Sequence, residues 1–312
     1  MERWAVMGRP LGPERRDFPS MKLKDSLLQL FGDEGRIVKR QPVGGGDINI
    51  SSILILDGGT AVFLKENQAS LEPMFVAEAL GLKALGEVAA YSAAPPVPKA
   101  LAWGADGHHS YLLLELIPSG KLKSAEDFGR AMAALHREGR SEQCGFGSDN
   151  WIGSTPQRND TCSSWHDFFR DMRLGCQWQL ARRKGFGDNS SEKNMQSVLR
   201  RIPELLPPPD DERPSLLHGD LWGGNWLAGQ DGRAWLIDPA VYYGHREADM
   251  AMTRLFGGFP SGFHHAYDEA WPLTPGYSER RDLYNLYHLL NHVNLFGSGY
   301  WRGARDIIAR FA

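Results

Sequence analysis

No apolar run in this 312-residue chain is long enough to span a bilayer. The longest, Tyr111 to Ile117, is broken by Glu115 and falls far short of the roughly 20 residues that a membrane helix needs. The opening Met1-Glu-Arg-Trp-Ala-Val-Met-Gly-Arg-Pro lacks the apolar core of a secretory signal, so no export is expected. Cysteine is scarce: Cys144, Cys162 and Cys176 are odd in number, widely spaced and form no Cys-x-x-Cys pair. That argues against a disulfide framework and a zinc site, and for a reduced cytoplasmic setting. A basic stripe is missing too. The formal net charge is -3 with both signs interspersed, so nucleic acid is not an expected partner. His245, His264, His265 and His288 share no element with ligand spacing, which excludes a histidine metal cluster. What remains is 42% hydrophobic and 23% charged, enough for one large core or two modest ones, and the chain is expected to act as a monomer.

The pattern divides the chain in three. Residues 1–20, rich in Pro, Gly and Arg, read as a loose extension. From Leu23 to Phe31 apolar residues recur at helical spacing up to Gly32. Strand-like runs follow at Arg36 to Val43, Asn49 to Leu56 and Thr60 to Lys65, the last two joined by the tight-turn signal Asp57-Gly58-Gly59. Between the first two runs lies Gly44-Gly45-Gly46-Asp47. Such a turn lets backbone N–H groups approach phosphate oxygens that a Cβ would hold away, although a plain hairpin turn has the same appearance. Pro73 to Leu85 forms the next helix, and Lys99 to Trp103 with Tyr111 to Ile117 a further hairpin. The breaker Pro118-Ser-Gly120 marks a hinge, so residues 21–116 are expected as one unit and 117–312 as a second, mostly helical one. In the latter, Ala125 to Glu138, Trp165 to Lys184 and Arg281 to Phe296 carry helical stripes.

Chemistry concentrates at 216–226, Leu-Leu-His-Gly-Asp-Leu-Trp-Gly-Gly-Asn-Trp, and at 235–239, Trp-Leu-Ile-Asp-Pro. A carboxylate at Asp220 can accept the proton of an attacking hydroxyl, and Asn225 and Asp238 supply oxygens of the kind Mg²⁺ prefers. An Asp and Asn in one loop and a separate metal Asp is the division of labour of a kinase, with ATP as donor. Lys65 on the third strand and Glu78 on the following helix have the matching arrangement for holding the α- and β-phosphates. Pro239 is expected to keep Asp238 extended. Trp222, and Trp301 near the end of the chain, offer aromatic faces on which a sugar could stack, core packing being the alternative for Trp301.

The loop reads His218-Gly219-Asp220 where protein kinases have His-Arg-Asp, and in this it resembles the aminoglycoside and choline kinase-like enzymes. Leu217 to Trp226, with Leu236-Ile-Asp-Pro-Ala-Val-Tyr-Tyr-Gly-His-Arg-Glu-Ala-Asp249 and the segment Asn150-Trp-Ile-Gly-Ser-Thr-Pro-Gln157, closely resembles the fructosamine kinase family. The resemblance runs from about Val43 to the carboxyl end. It implies an α+β, two-lobed, protein kinase-like fold: an antiparallel sheet with one main helix, then a mostly helical lobe. It also implies that the backbone of Glu115 and Ile117 binds adenine, that Asp249 anchors the loop backbone, and that His218, Trp222 and Asn150 border the substrate, His218 chiefly as a brace. The implied activity is Mg²⁺- and ATP-dependent phosphorylation of the sugar 3-hydroxyl of a ketosamine or glycated amine. Two alternatives stay open: a kinase for another small alcohol such as an aminoglycoside or choline, and an inactive nucleotide-binding module.

Overall fold

In the computed structural model the described residues are 21–44, 48–209, 211 and 213–312. Gly45, Gly46 and the expected extension 1–20 lie outside them. Five strands form one antiparallel sheet in the order β1-β2-β3-β5-β4, with β1 at Ile37–Val43, β2 at Ile50–Leu56, β3 at Ala61–Gln68, β4 at Ala100–Ala105 and β5 at His109–Glu115. Alternation puts the two sets of side chains on opposite faces. Leu54, Leu56, Val62, Leu64, Tyr111 and Leu113 pack under Leu27 of helix α1 (Leu23–Phe31), whereas Leu112 and Leu114 meet Phe75, Ala79 and Leu82 of α2 (Glu72–Tyr91). Both faces are therefore covered. The third strand runs on through Glu66, Asn67 and Gln68, which pair with Tyr111, Ser110 and His109, so Lys65 lies inside the strand rather than at its end.

Helix α2 is buried on more than its sheet side. Its Gly81 lies against Pro239 and Val241, where an added Cβ would sit 3.2 Å from Val241 Cγ2. That close approach brings the helix carrying Glu78 against the segment carrying Asp238.

The chain leaves the sheet through residues 116–120. Gln230 N–H donates to Pro118 O (3.0 Å) and Gly120 N–H to Ala228 O (2.8 Å), which stitches the crossing to a ribbon of β9 (Trp226–Ala228) and β10 (Ala234–Leu236). The second lobe is helical: α3 (Ala125–Glu138), α4 (Trp165–Phe168), α5 (Cys176–Arg183), α6 (Asn189–Leu205), α7 (Glu247–Leu255), α8 (Phe263–Ala270), α9 (Tyr277–Phe296) and α10 (Trp301–Phe311). Ser124 and Asp188 cap α3 and α6 by accepting from Asp127 N–H and Ser191 N–H. The single helix expected over Trp165 to Lys184 is interrupted by π-helical turns at Phe169–Gly175. Wide turns of this kind re-aim side chains. Here they bury Arg173, whose guanidinium lies 3.9 Å from the centre of the Tyr242 ring and donates to Arg158 O and Asn159 Oδ1. Trp301 packs against Trp178 and Phe186 in the core, which removes it from the expected sugar surfaces.

Short ribbons hold the functional loops. Strand β8 (Ser215–Leu217) pairs with β11 (Tyr242–Gly244), and β9 with β10. Residues 218–225 and 237–241 therefore run between the same two ribbons, side by side.

Inside the helical lobe, Glu247 is fully buried and accepts from Arg280 Nε (2.7 Å) and Nη2 (2.5 Å). Removing one partner of a buried pair strands the other charge in a low-dielectric interior. Arg280→Met is accordingly expected to lower unfolding free energy by about 3 kcal/mol, measured by denaturant titration. A loss below about 1 kcal/mol would mean that Glu247 protonates or finds water.

Candidate active site

The buried carboxylate of Asp249, in the first turn of α7, organises the loop at 218–225. Its Oδ2 accepts from His218 N–H (2.7 Å) and its Oδ1 from Gly219 N–H (2.9 Å). His136 Nε2 lies 3.2 Å from the same Oδ2, and Tyr267 Oη 2.8 Å from His136 Nδ1. Burial alone would raise the Asp249 pKa, but these donors hold the carboxyl below the ordinary range, so it stays ionised. Gly219 has φ +80°, and a Cβ there would run into Ala240 O. Only glycine meets both conditions.

His218 is fully buried. Its Nε2–H donates to Ile237 O (2.9 Å) and its Nδ1 accepts from Asp220 N–H (3.3 Å), which fixes the tautomer and ties the two loops together. Burial pushes its pKa down, so the neutral ring is favoured. Both ring nitrogens are spent on the loop itself, in line with the expected role of His218 as a brace.

Asp220 emerges from this frame. Its carboxylate Oδ2 accepts from Asn225 Nδ2 (2.9 Å), and the same amide donates to Asp220 O (2.8 Å). With the amide hydrogens used there, Asn225 Oδ1 is the atom left to face a cation. Burial pushes the Asp220 pKa up to about 7; the Asn225 hydrogen bond opposes this, and the charges of Asp238 and Asp249 add to it. A carboxylate so tuned can take up a proton near neutral pH.

Asp238 lies just beyond β10 with φ +55°, one of two non-glycine residues with positive φ among the described residues. The extended conformation expected before Pro239 is not adopted. Asp tolerates the left-handed region better than most residues, and bonds on both sides hold it: Ile237 N–H to Asn225 O (3.0 Å) and Ala240 N–H to His218 O (2.9 Å). Lys65 Nζ lies 2.6 Å from Asp238 Oδ1 and 2.5 Å from Glu78 Oε1. Burial would lower the Lys65 pKa, but the two carboxylates more than reverse this and keep it a cation. The Asp238 side chain is 48% exposed, so its carboxylate is open to a further ligand while bound to Lys65.

Asp238 and Asn225 are the residues here that would hold a divalent cation. Mg²⁺ takes few protein oxygens and keeps waters and phosphate oxygens. Asp238 and Asn225 Oδ1 supply such a set. No cluster of three or more His, Cys, Asp or Glu fit for a metal occurs among the described residues.

Other expected residues divide. Trp222, 40% exposed, follows Asp220 closely, and its ring lies over Gly224. Gly44 is exposed at the end of β1. Glu115 pairs with Val62 at the end of β5, and among the described residues no group accepts from Ile117 N–H. Asn150 is placed differently from expectation. It is 5% exposed, its Nδ2 donates to Val241 O (2.8 Å), and its Oδ1 accepts from Gln157 Nε2 (2.7 Å), which also donates to Ala240 O (3.0 Å). The hairpin of β6 (Asn150–Ile152) and β7 (Thr155–Gln157) thus braces the chain after Asp238, and Asn150 has no polar atom left for a substrate. Tyr287 Oη, 2.5 Å from Gln157 Oε1, completes this brace. Sequence reasoning missed Gln157 and Tyr287 as site-supporting residues, since each looks like an ordinary loop or core position.

Fold and site together define a kinase-like phosphotransferase. A family model, described as fructosamine kinase, matches residues 19–312, and the chain belongs to that family. It is 42% identical to a Synechocystis sp. protein carrying the name ketoamine kinase, over 95% of this chain and 98% of the relative. It is 41% identical to a protein-ribulosamine 3-kinase of Arabidopsis thaliana, over 91% and 87% of the two chains. A crystal structure from Haemophilus somnus bearing the name fructosamine-3-kinase superposes with a TM-score of 0.81 at 31% identity, covering 92% of this chain and 96% of that one.

The raised Asp220 pKa has a stability consequence. The folded state holds this proton to about pH 7, whereas an unfolded aspartate releases it near pH 4, so between those values rising pH favours unfolding. Asp220→Asn cannot ionise. It is expected to melt above the parent protein at pH 8, with the difference shrinking as pH falls toward 4. Equal melting temperatures at pH 8 would mean that Asp220 ionises without penalty.

Proposed function

We propose that the protein phosphorylates the 3-hydroxyl of the sugar in ketosamines, with ATP as donor. The observation that carries this is the convergence of Asp220, Asn225, Asp238 and Lys65 at one place in a member of the fructosamine kinase family. The names of its relatives, ketoamine kinase and protein-ribulosamine 3-kinase, support the substrate class.

In this reading Asp220 accepts a hydrogen bond from the substrate hydroxyl and takes its proton as the new P–O bond forms. The work is mostly positioning, and the raised pKa matches the base to neutral pH. Lys65, oriented by Glu78, offers its ammonium to the α- and β-phosphates. Asp238 and Asn225 Oδ1 would hold Mg²⁺, which neutralises phosphate charge when bound. Gly44, exposed at the end of β1, with Gly45 and Gly46 next to it in sequence, would cover the phosphates. The backbone of Glu115 and Ile117 would bind the adenine edge, with residues 21–116 and 117–312 as the two lobes around it. Trp222 forms one wall of the sugar pocket, its exposed face suited to the C–H side of a sugar. The setting we infer is cytoplasmic, supported by three free cysteines.

Asp220→Asn is expected to lower kcat by about 10² to 10⁴ with ATP binding retained. For the unmodified protein, kcat/KM should rise with pH to a plateau, with an apparent pKa near 7, because the ionised carboxylate is the active form above that value. A flat profile from pH 5.5 to 8.5 with full activity in the folded variant would remove Asp220 from the mechanism.

Specificity is tested by steady-state kinetics on ribulosyl-lysine, fructosyl-lysine, kanamycin, choline and ribulose, with the phosphate position determined. A site built to bond several hydroxyls rejects analogues that leave one unpaired. Either ketosamine should give the highest kcat/KM. A higher value for kanamycin or choline would assign the protein to the wider small-alcohol kinases instead.

A further inference from the structure

Cys144 and Cys162, far apart in sequence, are direct partners in space. Cys144 N–H donates to Cys162 O (2.8 Å) and Cys162 N–H to Cys144 O (3.1 Å), so the two form a reciprocally hydrogen-bonded antiparallel pair. Residues paired in this way have Cα atoms about 5.5 Å apart and side chains on one face. That separation lies inside the window of roughly 4.4 to 6.8 Å that a disulfide spans. The pair is held from both sides. Phe146 N–H donates to Asn159 O (3.0 Å), and Gly145 exchanges hydrogen bonds with Tyr243. At Gly145 the two segments approach so closely that a Cβ would lie 2.6 Å from Asn159 O.

We propose that this pair is a reversible dithiol–disulfide site, oxidised by hydroperoxides, whose bond locks the β6–β7 brace in place. The loop it closes, 144 to 162, contains Asn150 and Gln157, which hold Val241 O and Ala240 O behind Asp238. Cys162 is half-buried and reacts first, whereas Cys144 is 2% exposed and resolves. The Cys162 thiolate attacks one peroxide oxygen; an S–O bond forms, the O–O bond breaks, and the hydroxide released leaves as water after taking a proton. The Cys144 sulfur then attacks the Cys162 sulfenic sulfur. An S–S bond forms, the S–O bond breaks, and the second hydroxide leaves as water with the Cys144 proton. Two thiols and one hydrogen peroxide thus give one disulfide and two waters.

Reactivity and strain agree with a bond that forms only under oxidant. Burial pushes the Cys144 thiol up to about 12, so it does not ionise unprompted. Cys162 Sγ–H donates to Ser164 O (3.3 Å), which holds its side chain beside the pair. Cross-strand Cβ atoms stand about 4.5 to 5.5 Å apart, wider than the roughly 3.5 to 4.5 Å of relaxed disulfides. The resulting bond is strained and easily reduced. Cys176, whose thiol donates to Asp171 O (3.2 Å) in the π-helical turns, takes no part.

The test treats the full-length protein with hydrogen peroxide, blocks remaining thiols and maps peptides by mass spectrometry without reduction. The expected product is one cross-linked peptide joining Cys144 to Cys162, two hydrogens lighter than its parts and split by dithiothreitol. It should persist in Cys176→Ser and vanish in Cys162→Ser and Cys144→Ser, with reduced-state melts checking that each variant folds. Closing a loop of this size constrains the unfolded chain, so the oxidised protein should melt a few degrees higher, and only when both cysteines are present. A sulfinic acid at Cys162 with Cys144 still free, a cross-link to Cys176, or a fall in melting temperature on oxidation would each overturn the proposal.

Discussion

One buried ammonium joins the two halves of this protein. Lys65 projects from the middle of β3 and is held between Glu78 on α2 and Asp238 beyond β10. A lysine buried to this degree would lose its proton without partners, and two carboxylates are what keep it charged. Other features follow from that demand. Helix α2 must lie close enough to the 239–241 segment for Glu78 and Asp238 to share one cation, and Gly81 permits the approach. Asp238 must point back toward the sheet, and its left-handed backbone does so. A strained residue of this kind persists only where its surroundings over-determine it. The Lys65 pair, the bonds from Ile237 and Ala240, and the Asn150–Gln157 brace supply that constraint.

The second loop inverts the logic. Asp249 lies deeper than Asp220 yet is the more acidic, because backbone N–H groups and His136 satisfy it, whereas Asp220 has a single side-chain donor and two like charges nearby. Two carboxylates in one loop region are thereby pushed in opposite directions. The satisfied one is structural and spends its hydrogen bonds on fixing the backbone. The frustrated one keeps an appetite for a proton, which is the property a base needs and a fold does not. Stability given up at Asp220 is offset by the surrounding frame, in keeping with residues at functional sites that are not optimised for folding.

Much of this was legible in the sequence, for physical reasons that differ by element. The sheet hairpin declared itself through alternation and Asp57-Gly58-Gly59, and α3 through the helical spacing of its apolar residues, its observed ends matching the expected Ala125 to Glu138. The grouping of Asp220, Asn225 and Asp238 followed from loop spacing. Polar tails were not legible. Glu66-Asn67-Gln68 extends β3 because its backbone has partners on β5, which side-chain character does not reveal. Helices α6, α8 and α10 were missed as well. α6 opens on Asn-Ser-Ser-Glu and buries only a narrow stripe of Met195, Val198 and Ile202, and α8 is short. The π-helical interruption was invisible, since Trp165, Phe168, Phe169 and Met172 fit an unbroken helix equally well.

Asn150 and His218 carry the sharper lesson. Both stand in segments that follow the family pattern; Asn150 was expected at the substrate and His218 chiefly as a brace, and in the structure His218 bonds the backbone of Ile237 and Asp220 while Asn150 bonds Val241 O and the Gln157 amide. A family pattern reports that a position is constrained, not that it touches a ligand. At Asn150 the constraint is the carbonyl pair at 240 and 241; at His218 it is the separation between two loops. Neither side chain thus leaves a polar group turned to solvent beside Asp220. Trp222, by contrast, is exposed, and its ring rests on Gly224, where an added Cβ would displace it. The glycine and the aromatic are therefore one unit, in which the missing side chain at Gly224 leaves room for the ring.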